Sequence, residues 1–332
     1  MMRGFRILGS MQLTIAGIFL MFSGVLLSVR FPENQGWLIY FPLAVLSINL
    51  FAAIISKPRM RQQHALLAFH LCLLGVVLLI LIGRLVHFKG RVELTEGQAL
   101  ETANLITVSR GPWYRQALTD IHLEQGPIRV FYAPRLYRQE TESHLLLASN
   151  DGVDETVKID DNHPLVTNGY RFYITSNKGY SAVLSWVDIT GQKVLGAVNF
   201  PSFPALDWKQ IQHWVTPAGD RLTLRLVIER QTEVENSWLL TNDIVAPRLE
   251  IVLSNQMKSI LVPGDSIKLR EGKLRFHQLK MWMGYHISYD PTLHLLFFVA
   301  IVGVLALFWH FHGRLTLASS TIQENLSVAG KN

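Results

Sequence analysis

Four stretches near twenty residues long carry no charge, and they decide what this chain can fold into. Residues 11–29 are uncharged throughout, as are residues 37–56, with Pro42 near one end. Residues 65–87 form a third run, uncharged from Ala65 to Gly83, and residues 292–311 form a fourth. A helix needs about 20 apolar residues to cross the ~30 Å hydrocarbon core of a bilayer. Periodicity does not distinguish a buried helix from a spanning one, but four runs of this length point to spans. The first begins after Arg3 and Arg6, yet it is long and lacks an A-x-A cleavage site, so it reads as an uncleaved span.

Short flanking loops carry the orientation. Arg3 and Arg6 precede the first span, Lys57, Arg59 and Arg61 separate the second from the third, and Arg314 follows the fourth. The opposite loop, 30–36, balances Arg30 with Glu33. The expected layout is therefore a cytoplasmic N-terminus (1–10) and three transmembrane helices (11–29, 37–56 and 65–87). An extracytoplasmic domain (88–290), a fourth helix (291–312) and a cytoplasmic tail (313–332) complete it. Lys89 and Arg91 lie on the wrong side for this rule, but they open a long translocated segment where the rule is weak. Much of the net charge of +6 is thus topological. The external segment has no Lys/Arg block interleaved with aromatics, which excludes nucleic acid as a partner.

Residues 88–290 read as β-rich. Leu222, Leu224, Leu226 and Ile228 alternate with polar and smaller residues, the period of a half-buried strand. Leu249, Ile251 and Leu253 repeat the pattern, as do Tyr170, Phe172 and Ile174, which follow the hairpin signal Asn168-Gly169. Further strands are expected at 118–124, 128–132, 144–149, 155–160, 182–189 and 273–281. Turns are expected at Gly126-Pro127, Asn150-Asp151-Gly152, Thr190-Gly191 and Pro263-Gly264, and a long loop or short helix at 200–217. Asp290 and Pro291 are suited to starting the last helix. The fold class is an integral membrane protein of four helices, arranged 3+1, with a β-rich extracytoplasmic sandwich or open barrel.

Motifs for hydrolytic, phosphate-binding or dithiol chemistry are absent: there is no H-E-x-x-H, C-x-x-C, glycine-rich phosphate loop or G-x-S-x-G. Cys72 is the only cysteine and lies within the third span. Asp160-Asp161 reads as a solvated turn, and His163 as a turn residue before Pro164. His122, His144, His213, His277 and His286 are scattered, while His87, His294, His310 and His312 sit at span ends. His70 differs, lying a few residues inside the third span among leucines. An ionisable residue there is costly and is a functional candidate by default. Neutral imidazole is also a common axial ligand of haem iron. The alternative is a histidine that only hydrogen-bonds a neighbouring helix. Asn49 lies about as far before the basic loop as His70 lies after it. At 1.5 Å per residue the two reach similar depth, where the amide could hold the second imidazole nitrogen.

Several motifs together resemble the ResB (CcsB) family of cytochrome c biogenesis proteins. They are Ile48-Asn49-Leu50, His70-Leu71-Cys72-Leu73-Leu74-Gly75 through Ile82-Gly83, and Arg91-Val92-Glu93-Leu94-Thr95-Glu96-Gly97-Gln98. Asn162-His163-Pro164-Leu165 followed by Gly169-Tyr170-Arg171-Phe172-Tyr173 is the closest match, and Tyr289-Asp290-Pro291 resembles the family's approach to its last span. The resemblance implies a membrane subunit of the system II cytochrome c synthase. With a CcsA (ResC) partner, such a complex carries haem b across the membrane and attaches it to apocytochrome c. It implies that His70 is an axial ligand of haem within the membrane, shared with the partner. The tryptophan-rich attachment site belongs to the partner, and none of the eight tryptophans here forms that motif. This chain would then be a non-catalytic or shared-site subunit. Two alternatives stay open: a b-type electron-transfer cytochrome ligated by His70 and His310, and a membrane sensor or scaffold with an external binding domain.

Overall fold

The computed structural model describes residues 2–31, 35–58, 62–148, 155–228, 236–243, 246–253 and 258–329. Glu33, Arg59, Arg61 and the Asn150-Asp151-Gly152 turn lie outside the described residues. The chain divides into a helical unit (Met1–Phe88, Arg110–Arg115, Asp290–Asn332) and a β unit (Lys89–Ser109, Gln116–Tyr289).

The helical unit contains α1 (Met2–Leu8), α2 (Met11–Arg30), α3 (Gln35–Ser56), α4 (His64–Val86) and α5 (Leu293–Ala329). The last four contain apolar segments long enough to cross a bilayer: Met11–Arg30, Gly36–Ser56, His64–Val86 and Leu293–Arg314. Lipid offers no partner to backbone polar groups, so a span must close its hydrogen bonds internally. The expected N-terminal segment holds the short helix α1, and α5 continues past its apolar span as far as Ala329. Ser10 starts α2, its Oγ accepting from Leu13 N at 3.3 Å. Before α5, Asp290 Oδ1 accepts from Thr292 N at 2.9 Å, and Thr292 O takes the first helical bond, from Leu296 N. Thr292 therefore occupies the capping position, two residues later than the sequence suggests.

Small residues let the helices approach. A Cβ on Gly24 would lie 2.1 Å from Leu38 O, one on Gly17 2.7 Å from Leu46 Cδ2, and one on Gly9 2.7 Å from Ala53 N. Spacings of seven and eight residues put these glycines along one side, against α3. The same device joins α4 to α5. A Cβ on Gly83 would lie 2.7 Å from Thr292 Oγ1, one on Gly75 3.1 Å from Val299, and one on Gly303 3.1 Å from Cys72 Cβ. Close approach through small residues replaces the hydrophobic drive that lipid removes.

The described part of the β unit forms three sheets. The first comprises β1 (Phe88–Thr95), β2 (Leu105–Arg110), β6 (Leu165–Thr167), β7 (Tyr170–Asp188), β8 (Lys193–Asn199), β14 (Ser266–Leu269) and β15 (Gly272–Tyr289). Its order is β2-β1-β15-β7-β6, with β14 on β15 and β8 on β7. The second holds β3 (Leu123–Ala133), β4 (Tyr137–Leu147), β5 (Glu155–Ile159) and β11 (Trp238–Leu240), in the order β11-β3-β4-β5. The third holds β9 (Ile211–Val215), β10 (Arg221–Val227), β12 (Arg248–Leu253) and β13 (Lys258–Leu261), in the order β13-β12-β10-β9. No sheet closes among the described residues, so the architecture is sandwich-like rather than a barrel.

Alternation found the β10–β12 core: Leu222, Leu224 and Leu226 are buried, and Leu224 faces Ile251 in register. Asn168-Gly169 makes the expected two-residue hairpin, with φ of 48° and 78° joining Thr167 to its partner Tyr170. Other expectations change. The strands expected near 170–175 and 182–189 are one strand, β7, because Lys178 and Gly179 pair with Met283 and Trp282 of β15. Gly126-Pro127 is a bulge inside β3, where the register passes from Gln125–Leu145 to Ile128–Ser143. The 200–217 stretch contains β9 as well as a short helical turn, Asp207–Lys209.

Buried polar groups tie the first two sheets together. Tyr285 OH donates to Gln125 Oε1 and shares a second bond with Ser143 Oγ, both at 2.5 Å. Glu96 accepts from Ile128 N at 3.0 Å, Asn242 Nδ2 at 3.0 Å and Met281 N at 3.2 Å. Burial raises the Glu96 pKa, and these donors partly oppose it.

Gly24→Ala is expected to destabilise the helical unit by about 1–3 kcal/mol, the usual cost of overpacking a close contact. Thermal unfolding in detergent should show a lowered midpoint; an unchanged midpoint would mean that α2 and α3 do not meet at Gly24.

Candidate functional site

Both residues singled out by the sequence lie in the helical unit, but on different faces. His70 sits six residues into α4, roughly 9 Å along its axis at 1.5 Å per residue. Its Nδ1 lies 2.7 Å from Leu66 O, four residues back. A carbonyl oxygen only accepts, so Nδ1 carries the proton and the neutral ring keeps its lone pair at Nε2. No described residue hydrogen-bonds Nε2. The Phe69 ring stands edge-on to the imidazole at 5.3 Å. A ring nitrogen donating to a carbonyl fixes tautomer and orientation, the usual arrangement behind a metal-ligating histidine. The side chain therefore fits an axial ligand of haem.

Asn49 is 3% exposed and fully engaged elsewhere. Its Nδ2 donates to Leu8 O at 2.6 Å and Ser10 O at 3.1 Å, and its Oδ1 accepts from Thr14 Oγ1 at 2.7 Å. Helix phase explains this. Tyr40, whose OH donates to Arg84 O at 2.9 Å, marks the α3 face toward α4. Asn49 follows nine residues later, about 180° around the helix, on the face that receives Gly17 and Gly24. The structure does not bring Asn49 and His70 together, and the Leu66 carbonyl holds the imidazole instead.

The α4–α5 contact also separates His70 from His310. Cys72 and Gly75 of α4 face Gly303 and Val299 of α5. At about 100° per residue His70 lies roughly 160° around α4 from Cys72, whereas His310 falls close to the Gly303 face of α5. Among the described residues no three His, Cys, Asp or Glu side chains gather as a metal site.

One constellation in the β unit has no signal in the sequence. Asp160 does form a turn, accepting from Asn162 N, His163 N and the His163 ring, which hold its pKa down at about 2, the His163 side chain most strongly. Its neighbour Asp161 instead pairs with Arg138 at 2.6 Å. Lys178 lies beside that pair, only 3% exposed; burial lowers its pKa to about 8, with Arg138 adding to the effect. These residues are far apart in the chain, and only strand register unites them.

Four apolar spans define a multi-pass membrane protein, which also carries a large β unit. A model of the ResB-like family matches residues 61–233, just over half of the chain. The protein belongs to that family, in agreement with its motifs. The matched region contains His70, all of α4 and most of the first two sheets. No curated protein matches the chain significantly.

Two outcomes follow. Asn49→Ala should cost about 1–3 kcal/mol in thermal unfolding through the partners it strands, while leaving the optical spectrum of any haem bound at His70 unchanged. A spectral shift would contradict the assignment of the tautomer to Leu66. For Lys178, the folded-state pKa near 8 lies below the ordinary 10.5. Folding then favours the neutral amine, so this residue's penalty is full below pH 8 and fades as pH rises toward 10.5. The unfolding midpoint of wild type relative to Lys178→Met should rise across that window; a flat difference would refute it.

Proposed function

We propose that this protein is a haem-handling membrane subunit of a cytochrome c biogenesis complex, with His70 as one axial ligand of a haem carried within the membrane. The observation that supports it best is the His70 ring itself, its Nδ1 proton held by Leu66 O and its Nε2 lone pair available. Membership of the ResB-like family supports the general role in cytochrome c biogenesis. On this reading haem b is cargo, and a CcsA (ResC)-type partner supplies the remaining ligand and the attachment chemistry. Apocytochrome c provides the thiols that become thioether bonds. This chain contributes no thiol outside the membrane, since its one cysteine, Cys72, lies on α4.

The basic flanks Arg3, Arg6, Lys57 and Arg314 support cytoplasmic termini and a periplasmic β unit in a bacterial inner membrane. His70 would then lie in the cytoplasmic half of its span, where haem made in the cytoplasm first enters. The β unit would receive the partner or the apocytochrome. The divergent directions of His70 and His310 weigh against a self-contained two-histidine cytochrome.

Co-expression with a CcsA-type partner and a reporter cytochrome c tests the proposal. His70→Ala should lower haem in the complex and holocytochrome yield about tenfold or more, the scale for losing a metal ligand or its support. Added imidazole should restore part of both. Normal maturation with full haem content in the variant would overturn the assignment.

A further inference from the structure

A corner between the first two sheets of the β unit holds, among the described residues, two cations, Arg138 and Lys178, and one carboxylate, Asp161. Tyr132 of β3 pairs in register with both Trp238 and Arg138, so all three side chains share one face of the second sheet. The Tyr132 and Trp238 rings stack at 4.6 Å with planes 9° apart. Facing them, Lys178 and Tyr180 lie two residues apart on β7 and thus on one face of the first sheet. Lys178 feels the fields of Arg138 and Asp161, and Tyr180 lies near Tyr132. Phe203 packs on Tyr180 at 5.2 Å between ring centroids.

Two donors in this corner lack acceptors. Lys178 is 3% exposed; its ammonium makes no hydrogen bond or ion pair with a described residue, but unlike Trp238 Nε1 it is not a fully enclosed unpaired atom. The Trp238 indole N–H is buried without a partner. Asp161 is committed to Arg138 at 2.6 Å, so among the described residues one positive charge has no carboxylate of its own. Holding a lysine in a largely buried stretch of strand is costly, and an apolar side chain of similar shape costs less. Lys178 is therefore a poor choice for packing alone. The complement to an excess cation, an unused N–H and a stacked aromatic wall is a carboxylate on an extended or flat group.

We propose that this corner is a carboxylate-binding site, with Lys178 as counter-ion, Trp238 Nε1 as a donor and the Tyr132–Trp238 stack as its apolar wall. The Arg138–Asp161 pair forms its solvent side, with side chains 39% and 34% exposed. Two sources share this chemistry: a propionate of a porphyrin and an acidic side chain of a protein partner. The porphyrin source rests on the haem-handling reading; the carboxylate site does not.

The full chain in detergent would be titrated with three probes: metal-free protoporphyrin IX, its dimethyl ester and a fluorescent Asp/Glu-rich peptide. Without iron, ligation by His70 does not enter, so failure here and failure of the His70 assignment are distinguishable. The diacid should bind Lys178→Met at least tenfold more weakly than wild type, while the ester binds both alike. A tenfold loss confined to the peptide would identify a protein carboxylate as the ligand. Lys178→Met should fold as well as wild type by circular dichroism; should it not, Trp238→Phe keeps the stack and removes only the donor, and the same probe should weaken severalfold. Equal binding of every probe to wild type and a folded variant would overturn the site.

Discussion

The close approach of α4 and α5 at Cys72, Gly75 and Gly83 settles which way every other residue of α4 points. Lipid supplies no hydrophobic drive for helices to associate, so contact depends on backbones coming near enough for dispersion to act. Glycine permits this at Gly83, where a Cβ would lie 2.7 Å from Thr292 Oγ1. With that face spent on α5, His70 is left on the far side of α4. The imidazole then satisfies itself locally, through the carbonyl one turn back, and needs no neighbouring helix to hold its tautomer. An ionisable residue that makes no interhelical hydrogen bond is hard to explain as glue between spans. It is easier to explain as a ligand.

In the β unit the corresponding constraint is the pairing of β7 with β15, which runs from Tyr170–Tyr289 to Asp188–Gly272. Strands of this length, 19 and 18 residues, twist and need relief. The pairing shifts register twice, between Phe276 and Gln278 and between Met283 and Tyr285. Such bulges re-aim side chains, and Tyr285 beside the second one reaches Gln125 and Ser143 of the other sheet. The buried polar triad is therefore linked to an irregularity in the ladder as well as to the sequence of any one strand.

Much of the fold was legible because it depends on runs and short periods. Span length announced the four apolar helices, period-two alternation found β10 and β12, and Asn168-Gly169 located a hairpin. What escaped depends on pairing across distance. Alternation breaks at Ser176, Asn177, Lys178 and Gly179, so β7 reads as two strands, and only its register with β15 makes it one. The candidate site divides the same way. His70 stands out as an ionisable residue in an apolar run. Depth along the axis made Asn49 its partner, but depth says nothing of azimuth, and nine residues from Tyr40 turn it toward α2. A backbone carbonyl such as Leu66 O carries no side-chain signal at all.

The pattern of satisfied and unsatisfied groups links the two proposals. In the helical unit Asn49 uses its amide donors and its oxygen on α1, α2 and the turn between them, and His70 uses one nitrogen. What remains of these two side chains is a single ligand atom, Nε2. In the β unit Glu96 and Tyr285 are supplied with partners, whereas the Trp238 N–H is buried without an acceptor and Lys178 has no carboxylate partner among the described residues. Buried polar groups are ordinarily paired, so the exceptions carry the information. On the two proposals, one would accept a metal and the other an anion, the two chemical handles of a haem: its iron and its propionates. A protein that holds cargo briefly has reason to offer few contacts for each handle and to leave the rest to its partner. A single free imidazole nitrogen and an ammonium without a carboxylate partner among the described residues fit that division better than a complete, permanent haem pocket would.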